Sequence, residues 1–135
     1  MIVGYAYVVA DIIHFGHTLH LRNCRALCDK LIVGVLTDNA CMEKKPKPII
    51  PFKERLEIVG ELKSVDVVVA QETYMPDGNV AIIKPDILFE STSHFKPSKN
   101  PFGKTKVMPY FPCQSSSHIK NLVKLSDGGS KNDKS

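Results

Sequence analysis

No apolar run in this chain approaches the ~20 residues that a membrane-spanning helix needs. Residues 2–10 are apolar, but no basic segment precedes them and Asp11 follows, so no signal peptide is expected. Cysteine is scarce, limited to Cys24, Cys28, Cys41 and Cys113. Without an export signal these read as reduced thiols of a cytoplasmic protein rather than as a disulfide framework. Excess charge is missing too: 18 Lys and Arg against 14 Asp and Glu leave +4. That balance permits an anionic ligand without demanding nucleic acid, and no membrane partner is expected. There is no internal repeat.

What remains is an ordinary soluble composition, 43% hydrophobic and 24% charged over 135 residues. The length fits one domain with over half of its unfolded surface buried. Residues 2–10 read as a buried strand, continuous and β-branched. A helix is predicted over 16–28, a second buried strand over 30–36 and a lysine- and proline-bearing loop over 39–51. A helix over 52–62 follows Pro51, which suits a helix start. Then come a strand over 65–70, a short helix over 79–84 stopped by Pro85, and a strand over 86–89. Residues 90–104 read as a polar loop, 106–111 as a fifth strand and 115–125 as a closing helix. The pattern divides the chain into a domain over 1–125 and a disordered tail over 126–135, which has no hydrophobic residue.

Continuously apolar strands alternating with helices predict a parallel sheet covered on both faces. The fold class is therefore α/β, a Rossmann-like doubly wound sheet of five parallel strands. Ligands of such sheets sit beyond the carboxyl ends of the strands. Asp11 to His17, Thr37-Asp38 and Glu90 all fall there.

His14-Phe15-Gly16-His17 lies where the first strand gives way to the first helix. A helix N-terminus presents free N–H groups to an anion, and histidine donates protons or hydrogen bonds near neutral pH. Both rings can face one phosphate, with Gly16 allowing close backbone approach. Two helix-capping histidines would give the same spacing. Gln114-Ser115-Ser116-Ser117-His118-Ile119-Lys120 offers hydroxyls and N–H groups at the start of the last helix. A plain cap needs one serine. Lys44-Lys45-Pro46-Lys47, with Arg55 further on, can close over a triphosphate or stand as a solvated charge run. Cys24 and Cys28, four apart, fit a buried helix face better than a metal pair.

Taken together, in this order, the segments resemble the cytidylyltransferase family of the HxGH nucleotidyltransferase superfamily, over residues 2–123. His14-Phe15-Gly16-His17 is similar to the HxGH signature, and Gln114 to Lys120 to the closing ISSTxIK segment. Val8-Val9-Ala10-Asp11 stands where GTFD is usual. With residues 31–38, 69–72 and 83–86 it resembles the branch tied to phosphonate metabolism. Other positions depart from the family. Tyr110 replaces an arginine, Cys113 a glycine, and Phe89-Glu90-Ser91-Thr92-Ser93 a GDDW-like segment whose tryptophan is lost.

The resemblance implies transfer of CMP from CTP to a small phosphonate, such as 2-aminoethylphosphonate or 2-hydroxyethylphosphonate, with release of pyrophosphate. Alternative acceptors are glycerol 3-phosphate, phosphocholine and phosphoethanolamine, and adenylyl transfer is a more distant alternative. A non-catalytic nucleotide-binding module is the alternative of another class. The implied catalytic residues are His14, His17, Lys44 and Arg55. The implied nucleotide-binding residues are Val8, Val9, Ala10, Asp11, Gly16, Asp38, Lys47, Glu90, Gln114, Ser115, Ser116 and Ser117. The resemblance further implies Mg2+ with CTP and a homodimer; it leaves the metal ligands unassigned.

Overall fold

The structure, a computed structural model, describes residues 1–91 and 98–109. Its elements in chain order are β1 (Val3–Val8), α1 (Phe15–Arg25), β2 (Lys30–Leu36), α2 (Asp38–Met42), α3 (Phe52–Gly60), β3 (Val67–Gln71), α4 (Asp77–Ile83), β4 (Ile87–Ser91) and β5 (Lys104–Met108). The strands form one sheet in the order β3-β2-β1-β4-β5. Every pairing is parallel, with Val3 opposite Lys30 and Gly4 opposite Ile87.

The alternation along each strand decides which face it buries. Ala6, Leu31, Val33, Val35, Ile87 and Phe89 pack with Leu21 and Cys24 of α1 and Val59 of α3. Tyr5, Leu88 and, less deeply, Ile32 and Val69 pack with Val80 and Ile83 of α4 on the other face. Helices therefore cover both faces, as the continuously apolar strands require. Glycine makes room in two strands. A Cβ on Gly4 would lie 3.0 Å from Cys28 Sγ, and one on Gly34 would run into the Tyr5 hydroxyl. Tyr5 thus lies across β2, donates to Gln71 Oε1 at 2.5 Å and accepts from Asn79 Nδ2 at 2.9 Å.

The amino ends of the strands are latched by aspartates. Asp29, Asp86 and Asp66 accept from the N–H groups of Ile2, Val3 and Leu31 at 2.7, 2.8 and 2.8 Å. The carboxyl ends are left for the site. The chain runs outward from β1 to β3 and then crosses back to β4. The switch in direction, where such sheets bind ligands, therefore lies between β1 and β4.

Several boundaries differ from those predicted. β1 ends at Val8, because Ala10 takes a left-handed conformation with φ 61° that no strand accommodates. The expected loop over 39–51 begins as a helix: Thr37 Oγ1 accepts from Ala40 N at 3.1 Å and starts α2. β4 continues through Glu90 to Ser91, and β5 begins at Lys104 rather than 106. The predicted closing helix and tail lie outside the described residues. Among the described residues, no helix is long and apolar enough to cross a membrane.

Candidate active site

Residues 9–14 carry the chain from β1 into α1. Asp11 is only 3% exposed there, and its two carboxylate oxygens accept from Ile50 N at 2.9 Å and Ile49 N at 3.0 Å. His14, extended at φ −143°, is the N-cap of α1. Its Nδ1 accepts from Gly16 N at 3.0 Å, and the Nδ1 of His17 accepts from His14 N at 3.3 Å. This is a reciprocal cap in which both acceptors are imidazole nitrogens. It satisfies two N–H groups that a helix start leaves without partners.

The cap settles the chemistry of the rings. A neutral imidazole has one donor and one acceptor nitrogen. With both Nδ1 atoms accepting, the protons sit on both Nε2 atoms. Burial pushes the His14 pKa down. Burial, followed by the charges of His14 and His20, takes His17 from 6.5 to about 4. Both rings are therefore neutral donors at pH 7. Their centroids are 4.2 Å apart and tilted by 51°. His14 Nε2 is covered and has no hydrogen-bond partner among the described residues. A buried donor without a partner is rare and marks a place where a partner belongs. Gly16 is buried, while Phe15 is 57% exposed under Arg22.

Arg55 is 0% exposed. Its Nε donates to Ile50 O at 2.9 Å, one terminal nitrogen to Val9 O and Leu36 O at 2.7 Å each, and the other to Asp38 Oδ1 at 2.7 Å. The Arg55–Asp38 contact is an ion pair with Asp38 one-third exposed. Val8 and Val9 are half-buried and Ala10 is buried. Lys44 and Lys47 stand exposed on the segment after α2, and neither forms an ion pair with another described residue. Glu90 is 1% exposed at the carboxyl end of β4. It accepts from the Tyr7 hydroxyl at 2.6 Å and from Ser98 N at 3.1 Å. Burial pushes its carboxyl up, against those two hydrogen bonds, and burial likewise raises the Tyr7 phenol.

The structure thus gathers His14, Gly16 and His17 at one helix start. Asp11, Asp38, Arg55 and the backbone of Val9 meet in a second cluster beside it, at the carboxyl ends of β1 and β2. Gln114, Ser115, Ser116 and Ser117 lie outside the described residues. Sequence reasoning missed Tyr7, the partner of Glu90, and missed Ile49 and Ile50, whose N–H groups hold Asp11. Backbone groups leave no mark in a sequence, but the three-residue step from His14 to His17 is that of a capping box. Among the described residues, no group of three His, Cys, Asp or Glu could hold a metal ion. Asp11 accepts from two backbone N–H groups and Asp38 pairs with Arg55.

The fold recurs in known structures. A lipopolysaccharide core biosynthesis protein from Thermoplasma volcanium superposes with a TM-score of 0.72 at 26% identity, covering 82% of this chain and 97% of that one. Pantoate-beta-alanine ligase from Francisella tularensis gives 0.56 at 17% identity, covering 90% and 65%, which is a likeness of fold alone. In sequence, the chain is 36% identical over 124 residues to the bifunctional protein HldE of Proteus mirabilis, covering 84% of this chain and 26% of that protein. It is 39% identical over 93 residues to HldE of Salmonella arizonae, covering 67% and 19%. The chain spans about a quarter or less of the length of these relatives. The cytidylyltransferase-like family model matches residues 6–120. A match of that extent, on a parallel sheet of this order with a paired-histidine helix start, shows that the chain belongs to the cytidylyltransferase-like family.

Proposed function

We propose that this chain transfers CMP from CTP to a small phosphonate, 2-aminoethylphosphonate or 2-hydroxyethylphosphonate, and releases pyrophosphate. A phosphonate oxygen attacks the α-phosphorus in line. The new P–O bond forms as the bond to the β-phosphate oxygen breaks, and pyrophosphate carries away the electron pair. Charge grows on the non-bridging α-oxygens, and the Nε2–H groups of His14 and His17 donate to it. The observation carrying this reading is the reciprocal cap, which leaves His14 Nε2 proton-bearing, buried and without a partner among the described residues. A fixed donor of this kind lowers the barrier by about 3 kcal/mol. Lys44 and Lys47 close on the phosphates, and Ser115, Ser116 and Ser117 seat the β- and γ-phosphates. Magnesium enters with the triphosphate as part of the substrate, in keeping with its preference for phosphate oxygens and water. The active species is a homodimer in the cytoplasm.

The choice of CTP and phosphonate rests on residues 8–11, 31–38 and 83–86. A sugar phosphate acceptor is the second reading. It is favoured by likeness to a lipopolysaccharide core biosynthesis protein, whose product is a saccharide. A grid of CTP and ATP against phosphonates, phosphoalcohols and sugar phosphates, read by pyrophosphate release with and without EDTA, separates the two. CTP with 2-aminoethylphosphonate is expected to be the best pair, and EDTA to abolish release. ATP with a sugar phosphate as the best pair would move the assignment to the second reading. CTP binding without release from any acceptor would leave only a binding module. Sedimentation tests the dimer.

A further inference from the structure

We propose that Arg55 and Asp11 are positioning residues that fix the lysine-bearing loop against the histidine pair, and that neither touches substrate. The hydrogen bonds carry this assignment. A phosphate-gripping arginine keeps its planar fork open toward the anion. The Arg55 guanidinium is fully buried, and three of its four hydrogen bonds end on backbone carbonyls. Turning it toward a ligand would strip buried carbonyls of their donor, at the cost of unsatisfied groups in three separate segments.

Those segments are the ones a nucleotidyl transfer must hold in register. Val9 directly follows β1, just before the histidine turn, Leu36 ends β2, and Ile50 ends the loop that carries Lys44, Lys45 and Lys47. Asp11 grips the same point from the other side, through the N–H groups of Ile49 and Ile50. Ile50 is therefore held at its N–H by Asp11 and at its carbonyl by Arg55. The near end of the loop is tied as well, because Lys45 N donates to Cys41 O at 2.9 Å and Cys41 Sγ to Pro46 O at 3.5 Å. Asp38 supplies the counter-charge that lets a guanidinium sit fully buried. With both ends anchored, the lysines sweep a limited arc. The junction sets where that arc lies relative to His14 and His17. Its kinetic consequence rests on the nucleotidyl-transfer reading above, while its mechanical consequence does not.

Two measurements on Asp11→Asn, Asp38→Asn and Arg55→Lys test the junction. The first is limited trypsin digestion of the full chain without substrate. Lys45 and Lys47 precede prolines, so the Lys44–Lys45 bond is the cleavable site in this run. Cleavage there is expected to rise about tenfold in Asp11→Asn, through local opening, while cleavage elsewhere follows global stability alone. The second is a double-mutant cycle. Lys44→Ala and Lys47→Ala should lower kcat/KM in the native chain, and lower it much less once Asp11→Asn has already displaced the loop. Additive losses in the cycle, or Lys44–Lys45 cleavage that merely tracks unfolding, would overturn the proposal. If Arg55→Lys does not fold, the two aspartate variants decide. If no nucleotide and acceptor give turnover, the function proposed above fails and the digestion still decides the junction.

Discussion

His14 offers two atoms for two tasks, and substitution can separate them. Nδ1 caps α1 through Gly16 N at 3.0 Å, while Nε2 is buried with no partner among the described residues. Asparagine places an oxygen near Nδ1 and nothing near Nε2. Glutamine places an amide N–H2 near Nε2 and nothing near Nδ1. His14→Asn should therefore keep the cap, with stability within ~0.5 kcal/mol of native, since Asn is among the best N-caps. The same change removes a donor to the developing α-phosphate charge and should lower kcat by about 10²–10³. His14→Gln should reverse the pattern. Loss of the cap costs about 1 kcal/mol, or roughly 3–6 °C in Tm for a domain of this size, while a donor remains and kcat falls about tenfold or less. Thermal melts and initial rates of pyrophosphate release measure the two axes. If His14→Asn retains kcat within about threefold of native, Nε2 is not the donor and the transition-state role is refuted.

Other consequences can be checked on the same material. The His17 pKa is held at about 4, below the ordinary 6.5, so the unfolded chain binds a proton that the folded chain refuses. The sign follows: this contribution to stability is fully present above pH 6.5 and is lost as the pH falls toward 4, amounting to ~3 kcal/mol. Urea midpoints between pH 7.5 and 4.5 should fall in the native chain and fall less in His17→Asn. Ala10 sits at φ 61°. Relief of the left-handed penalty, ~1–2 kcal/mol, outweighs the entropy of a new glycine, ~0.5–1 kcal/mol. Ala10→Gly should therefore melt at or slightly above native, whereas Ala10→Val should lose more than ~2 kcal/mol; a destabilised Ala10→Gly would contradict the backbone reading. Gly34→Ala drives a Cβ into the Tyr5 hydroxyl and should cost roughly 2–3 kcal/mol in chemical denaturation. A change under ~0.5 kcal/mol would show that Tyr5 does not lie across β2 there.

The parts legible in the sequence were those written in side-chain pattern. Four buried strands and the helix after the histidines came from apolar continuity and from the residues at the turn. β5 begins two residues before its apolar pattern: Lys104, Thr105 and Lys106 open the outermost described strand, while the apolar residues lie at 107–111. α2 is not legible because five residues hold too little period, and its side-chain cap is Thr37 alone. Arg55 was legible as important but not in what it does. Its partners at Val9 and Leu36 are carbonyls, 46 and 19 positions away in sequence. Any residue type could supply those carbonyls.

The reciprocal cap also bears on what the site can ask of an acceptor. With Nδ1 of each ring accepting a backbone N–H, neither Nε2 has a lone pair to take a proton. Abstraction would require the other tautomer, and so the loss of two capping bonds at the start of α1. The pair therefore donates but does not act as a general base. An alcohol would have to lose its proton to become the nucleophile, and the histidines do not provide for that. A phosphonate or phosphate monoester is already an oxyanion near neutral pH and needs only to be positioned and shielded. Under the proposed reaction, acceptors that differ only in carrying a free hydroxyl in place of the phosphonate or phosphate group should yield no pyrophosphate at any pH between 6 and 9. Phosphorylated acceptors should show a rate that is flat above their own second ionisation. A rate that instead climbs with a free imidazole near pH 6.5 would mean that the Nδ1 bonds break during turnover and that the histidines do take protons.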